Sequence, residues 1–263
     1  MRKIELSTWE SLPLKADSLR RSLEIIYGVK LETDSSEIQL DRLYPTEDFL
    51  ENDKIALVFM KIVNESYDVP IIAVERGEDY FVLDGHHRSF ISKKLEKKTI
   101  MAKVLKFPKD TGYRDVPKSS LEDLPIKEVA AIDDLIVKAW GRILNILKQY
   151  EVLYHMHFHM KEEQVHLKDL SPTQPEVLKE QIDGINRLLV PVACIEYDKR
   201  YYVLDGHARC LRAKQLGLKS IQAIVLLPQV HVDFGIVKTA KEMKLESLED
   251  ITITKRTGTD TLQ

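Results

Sequence analysis

Cysteine is scarce in this chain of 263 residues: Cys194 and Cys210 are the only two, and their spacing suits neither a metal knuckle nor a redox pair. That excludes a disulfide framework and points to two small buried hydrophobes in a reducing cytoplasm. Long apolar runs are missing as well. No stretch approaches the roughly eighteen residues of a membrane span, and residues 1–8 lack the apolar core of a signal peptide. The expectation is a soluble, cytoplasmic protein without a membrane partner. Charge of one sign is not in excess either, since the formal net charge is -3 and the Lys and Arg residues are scattered. A nucleic-acid partner stays open on that basis but is not favoured. No Gly-x-x-x-x-Gly-Lys-Ser/Thr occurs, which excludes a P-loop.

What the chain does contain is a repeat. Val82-Leu83-Asp84-Gly85-His86-His87-Arg88 returns as Val203-Leu204-Asp205-Gly206-His207-Ala208-Arg209, 121 positions on. Tyr27, Ile38, Leu40, Leu43, Pro45 and Thr46 find Tyr154, Val165, Leu167, Leu170, Pro172 and Thr173, and residues 120–123 find 247–250, all at an offset of 127. The second copy has therefore lost six residues after the Pro-Thr pair and regained six before Ser247, changes that belong in loops. A repeat of this length means two similar domains rather than a solenoid. We place them at 1–130 and 131–263.

Within the first copy, periodicity predicts a helix over 18–27, strands over 27–32 and 38–43, a loop and helix opened by Pro45-Thr46-Glu47, and a helix over 53–63. A strand pair follows over 69–75 and 79–83, then a helix from His86 to Leu95 and a strand over 99–105. The second copy repeats the order, with a helix near 175–188, strands over 190–196 and 201–204, a helix over 207–216 and a strand over 220–226. Residues 132–150 read as a long helix that joins the copies. Mixed order of this kind predicts an α+β fold, each domain a small mixed sheet with flanking helices.

The repeated motif falls on a strand-to-helix turn. A glycine there lets the first amides of the helix face an anion, with the positive end of the helix dipole behind them. Arg88 carries a donor fork suited to phosphate, and His86 and His87 can donate to phosphate oxygens or relay a proton. The plainer reading of the same residues is a capped turn in which Asp84 holds the helix start.

These residues resemble the ParB/sulfiredoxin superfamily, most closely its free L-serine kinase branch, over about 39–105 and 168–226. Sulfiredoxins carry a reactive cysteine in this turn where this chain has His86 and His207, so sulfinic acid reduction is not expected. The Gly-Glu-Arg-Arg type motif of partition proteins is absent too. The serine kinase resemblance implies that Glu47 is the catalytic base and His87 a second catalytic group. It implies that Asp84, Gly85, His86, His87, Arg88 and Ser89 hold the phosphates of ADP or ATP, with Mg²⁺ on Asp84. The implied function is phosphate transfer to the hydroxyl of a small molecule such as free L-serine. A ParB-like nucleotide-binding, DNA-associated module or a nuclease is the alternative.

In the second copy Gln174 replaces Glu47 and Ala208 replaces His87. An amide cannot act as the base, so Asp205, Gly206, His207 and Arg209 are expected to form at most a phosphate site. Two weaker signals remain. His155, His157 and His159 would share one strand face, either a zinc site or a polar sheet surface. Residues 239–251 are expected to close the second unit as a packing segment.

Overall fold

The computed structural model describes residues 4–108, 118–128, 135–185 and 188–255. The chain divides into two compact units, residues 1–141 and 142–263. The expected helix start at 132–134 lies outside the described residues.

The first unit begins with helix α1 (Ser11–Tyr27), which ends at Gly28 in the left-handed region. Strand β1 (Glu32–Gln39) follows, then a 3-10 turn (Leu40–Arg42) and the two-residue strand β2 (Leu43–Tyr44). Here the structure corrects the sequence reading, which put one strand over 27–32 and another over 38–43. Tyr27 closes a helix, and most of the single strand is Glu-Thr-Asp-Ser-Ser-Glu, polar and largely exposed. An edge strand of this kind is held by its backbone ladder to the strand Thr99–Lys106 and carries no apolar alternation to read.

Strand β3 (Leu50–Glu51) leads into α2 (Asn52–Glu65). A hairpin of β4 (Ile71–Arg76) and β5 (Asp79–Asp84) then delivers the chain to α3 (His86–Lys94) and β6 (Thr99–Lys106). The sheet order is β1-β6-β4-β5-β2, with β4 parallel to β6 and antiparallel to β5. Ile71 to Val74 are buried without alternation, as a central strand covered on both faces requires. Strand β7 (Ile126–Lys127) pairs with β3 in parallel.

Helix α3 is the unusual element, because eight of its nine residues are buried and most of these are polar. Polar groups removed from water need partners. Lys94, 0% exposed, finds Glu122 Oε1 at 3.1 Å on the 3-10 turn Leu121–Asp123, which fastens that turn to the last turn of the helix. A cation there also complements the negative end of the helix dipole.

Helix α4 (Leu135–Tyr154) begins in the first unit and ends in the second. Trp140 is fully buried and meets Phe59 of α2 edge to face at 4.8 Å. The second unit continues with β8 (Phe158–His166), a 3-10 turn (Leu167–Asp169), β9 (Leu170–Ser171), β10 (Glu176–Leu178) and the short α5 (Lys179–Asp183). It is completed by β11 (Val192–Tyr197), β12 (Arg200–Asp205), α6 (His207–Gln215), β13 (Ser220–Pro228), α7 (Gly235–Glu242) and β14 (Thr252–Thr254). The sheet order β8-β13-β11-β12-β9 reproduces that of the first unit. Leu248 and Ile251 sit in the core, so the segment after α7 closes the unit.

The register of the small sheets locates the length change. Leu50 pairs with Ile126 and Val177 pairs with Ile253, so the offset of 127 persists through these strands into the next helix. The expectation that the loss lay in a loop is corrected: α2 has 14 residues and α5 has 5. The helix expected near 175–188 is correspondingly short, because Glu176–Leu178 are drawn into a parallel pairing with β14. That distant partner leaves no local signal.

The shared face of His155, His157 and His159 does not form. His155 has φ 52 beyond the end of α4, and the strand starts only at Phe158. Among the described residues no group of three or more His, Cys, Asp or Glu is placed to hold a metal ion. Cys194 and Cys210 are free and buried in the second core, and burial raises both thiols, Cys210 to about 12.

Candidate functional site

The site of the first unit is assembled where the loop after β2 meets the start of α3. Pro45 carries the chain out of β2 into Thr46 and Glu47. The Thr46 amide donates to His86 Nε2 at 3.0 Å, and Thr46 Oγ1 donates to the Val82 carbonyl of β5. A ring nitrogen that accepts leaves the proton of a neutral imidazole on the other nitrogen. His86 Nδ1 lies 3.3 Å from Glu47 Oε1, not aligned for a full hydrogen bond. His86, only 1% exposed, thus pins the loop and faces the half-exposed carboxylate of Glu47. Burial raises the Glu47 pKa, but the contact with His86 and the charge of nearby Lys54 outweigh it and hold the acid below the usual carboxylate range. Glu47 is therefore ionised at neutral pH.

Asp84 and Arg88 turn inward. Arg88 Nη1 donates to the carbonyls of Val69 and Pro70 at 2.7 and 2.9 Å, and Nη2 donates to Asp84 Oδ2 at 2.7 Å. Asp84 also accepts from Ser7 Oγ at 3.0 Å and is bonded to Lys15 Nζ through Oδ1. Burial works against its charge, yet Arg88 and Lys15 keep the carboxyl below its ordinary range. Both oxygens are engaged by donors, an arrangement that holds the turn at the start of α3. Gly85 caps α3 at φ 104. A methyl group there would lie 2.5 Å from Ile71 Cγ2 and 2.9 Å from Arg88 Nη2. Ser89 Oγ donates back to the Gly85 carbonyl at 3.1 Å, inside the helix.

His87 receives the Glu51 amide on Nε2 at 3.0 Å. Burial first, then the adjacent Lys54, lowers its pKa to about 3, so the ring is neutral with its proton on Nδ1. His87 and Glu47 line a cleft of about 50 Å³ together with Lys15, Lys54, Tyr67 and the start of α3.

The second unit keeps the frame. Thr173 donates its amide to His207 Nε2 at 3.0 Å and its hydroxyl to the Val203 carbonyl, Arg209 pairs with Asp205 at 2.6 Å, and Gly206 has φ 105. Burial lowers the His207 pKa to about 4. What the frame carried is changed, since Gln174 and Ala208 stand at the positions of Glu47 and His87.

Fold and site define the class: two tandem α+β units, each a five-stranded mixed sheet with flanking helices around an Asp-Gly-His turn. No family model matches the chain. An uncharacterised protein of Methanocaldococcus jannaschii is 32% identical over 154 residues, covering 54% of this chain and 58% of that protein. The chain thus matches less than two thirds of that relative's length. Among solved structures it is similar to sulfiredoxin from Arabidopsis thaliana, at 24% identity over 28% of this chain and 86% of that one, TM-score 0.24. It is similar to the C-terminally truncated chromosome-partitioning protein ParB from Caulobacter crescentus complexed with CTP-gamma-S, at 15% identity over 47% and 66%, TM-score 0.23. Free serine kinase in complex with AMP matches at 14% identity over 85% of each chain, TM-score 0.25.

Of the residues singled out from sequence, Glu47, Asp84, Gly85, His86, His87 and Arg88 all line the cleft, and Asp84 and Arg88 also pair with each other across the turn. Lys15, Lys54, Ser7 and Tyr67 had escaped notice. Lys54 had a readable signal, because at the offset of 127 its counterpart is Gln181, a change parallel to that from Glu47 to Gln174.

Proposed function

We propose that the first unit is a phosphotransferase that uses ADP or ATP to phosphorylate the hydroxyl of a small molecule such as free L-serine. The observation that carries this reading is an ionised Glu47, held against buried His86, at a cleft that also presents Lys54, neutral His87 and the amide end of α3. Glu47 accepts the hydroxyl proton as the hydroxyl oxygen attacks the terminal phosphorus of the nucleotide. The bond to the bridging oxygen breaks, and AMP leaves from ADP, or ADP from ATP. Protonated Glu47 then returns its proton to water. Positioned proton acceptance and cationic stabilisation are what such a transfer needs from a protein. Nucleotide pockets occupy several hundred Å³, at least ~300. A cleft of about 50 Å³ therefore receives the terminal phosphoryl group and the hydroxyl, with the nucleoside outside it. Mg²⁺, when bound, neutralises the nucleotide phosphates.

The test is phosphate transfer from ADP or ATP to a panel of free amino acids and polyols. Glu47→Gln installs the residue found in the second unit and is expected to lower the rate by about 100-fold or more, the scale of a lost general base. Transfer at an unchanged rate would remove Glu47 from the reaction. Nucleotide binding without turnover, together with salt-sensitive DNA binding, would favour the DNA-associated module instead.

A further inference from the structure

The duplication separates what holds the turn from what faces the ligand. Four features recur in the second unit: the Thr–His hydrogen bond, the Asp–Arg pair, the left-handed glycine and the buried histidine itself. Three side chains around the first cleft do not recur. Glu47 becomes Gln174, Lys54 becomes Gln181 and His87 becomes Ala208. An anion, a cation and an imidazole are thus all replaced by uncharged groups while the frame beneath them is intact.

The cations of the first cleft differ in what they are free to do. Arg88 is spent on two carbonyls and Asp84, and Lys15 is spent on Asp84. Lys54, in the first turn of α2, lines the cleft and pairs with no described carboxylate at contact distance, although its charge is felt at both Glu47 and His87. We propose that the Lys54 ammonium is the group that contacts the phosphate of the bound nucleotide, and that Arg88 and Asp84 hold the turn without touching it. This rests on the phosphotransferase reading for the identity of the ligand and on the unit-to-unit comparison for the residue. The arrangement is economical in charge: a free ammonium facing an ionised Glu47 attracts the anion and keeps it beside the base.

Calorimetric titration of the full chain with ADP, repeated with inorganic phosphate, tests the assignment. Lys54→Met is expected to weaken ADP binding by tenfold or more, and Lys54→Arg to restore it to within a few-fold. Lys54 is partly exposed, so both variants should fold, which tryptophan fluorescence under urea verifies. Wild-type affinity in Lys54→Met overturns the proposal. If the wild type transfers phosphate while Lys54→Met keeps its affinity, only the Lys54 assignment fails. If the wild type binds ADP through Lys54 yet transfers no phosphate, the assignment stands and the kinase reading fails. A wild type that binds neither ligand removes both.

Discussion

Gly85→Ala is expected to destabilise the first unit by about 4 kcal/mol, the sum of a left-handed backbone forced on an L-residue and an overpacked contact. The backbone at Gly85 has φ 104, and the added carbon would stand 2.5 Å from a branch methyl of fully buried Ile71 at the start of β4. Neither neighbour can yield: Ile71 lies in the core, and Arg88 Nη2, at 2.9 Å, is fastened to Asp84. Gly28→Ala provides the internal comparison, because Gly28 has φ 64 but open space around it. Its cost should be the backbone strain alone, about 1 kcal/mol. Both tryptophans, Trp9 and Trp140, belong to the first unit, so fluorescence under urea reads that unit directly. Equal midpoint shifts for the two variants would contradict the contact described.

Acid should weaken the first unit well above the range where carboxylates titrate. His87 is neutral in the folded state down to about pH 3, whereas in the unfolded chain it takes up a proton near 6.5. Between those values the unfolded chain binds the extra proton, so stability is complete above pH 6.5 and falls as pH falls through the window. At ~1.4 kcal/mol per pKa unit, the loss from this one ring reaches about 2 kcal/mol by roughly pH 5. Glu47 and Asp84, whose folded pKa values are lowered, add their own losses only below the ordinary carboxylate range. His87→Ala should therefore flatten the dependence of the tryptophan-reported urea midpoint between pH 7.5 and 5. Ala208 occupies the same position in the second unit, so alanine is compatible with the helix start. An unchanged slope in that variant would mean that another group carries the acid response.

The parts legible in the sequence were those with a local cause. The buried strands Ile71–Arg76 and Val192–Tyr197, the hairpins and the helices after Gly85 and Gly206 follow from apolar runs, turn residues and a glycine between strand and helix. Polar β1 was missed because its pairing is made by backbone groups, and β10 because its partner β14 lies far along the chain. At the site, residue types were visible but directions were not. Arg88 is legible as a donor fork, but that the fork reaches Val69, Pro70 and Asp84 is set by tertiary packing. Lys54 stayed hidden because six missing residues were assigned to the wrong place, which broke its alignment with Gln181.

The border between the units falls inside α4, at Gly141, and this limits how far the two copies are separable pieces. A chain ended there would retain only Leu135 to Gly141 of a 20-residue helix. Isolated helices shorter than about 12 residues are marginal in water. Trp140 would then sit on a fraying end one residue from the terminus, although its ring fills the core contact with Phe59. The boundary thus gives the first unit only the opening turns of a helix whose remaining length belongs to the second.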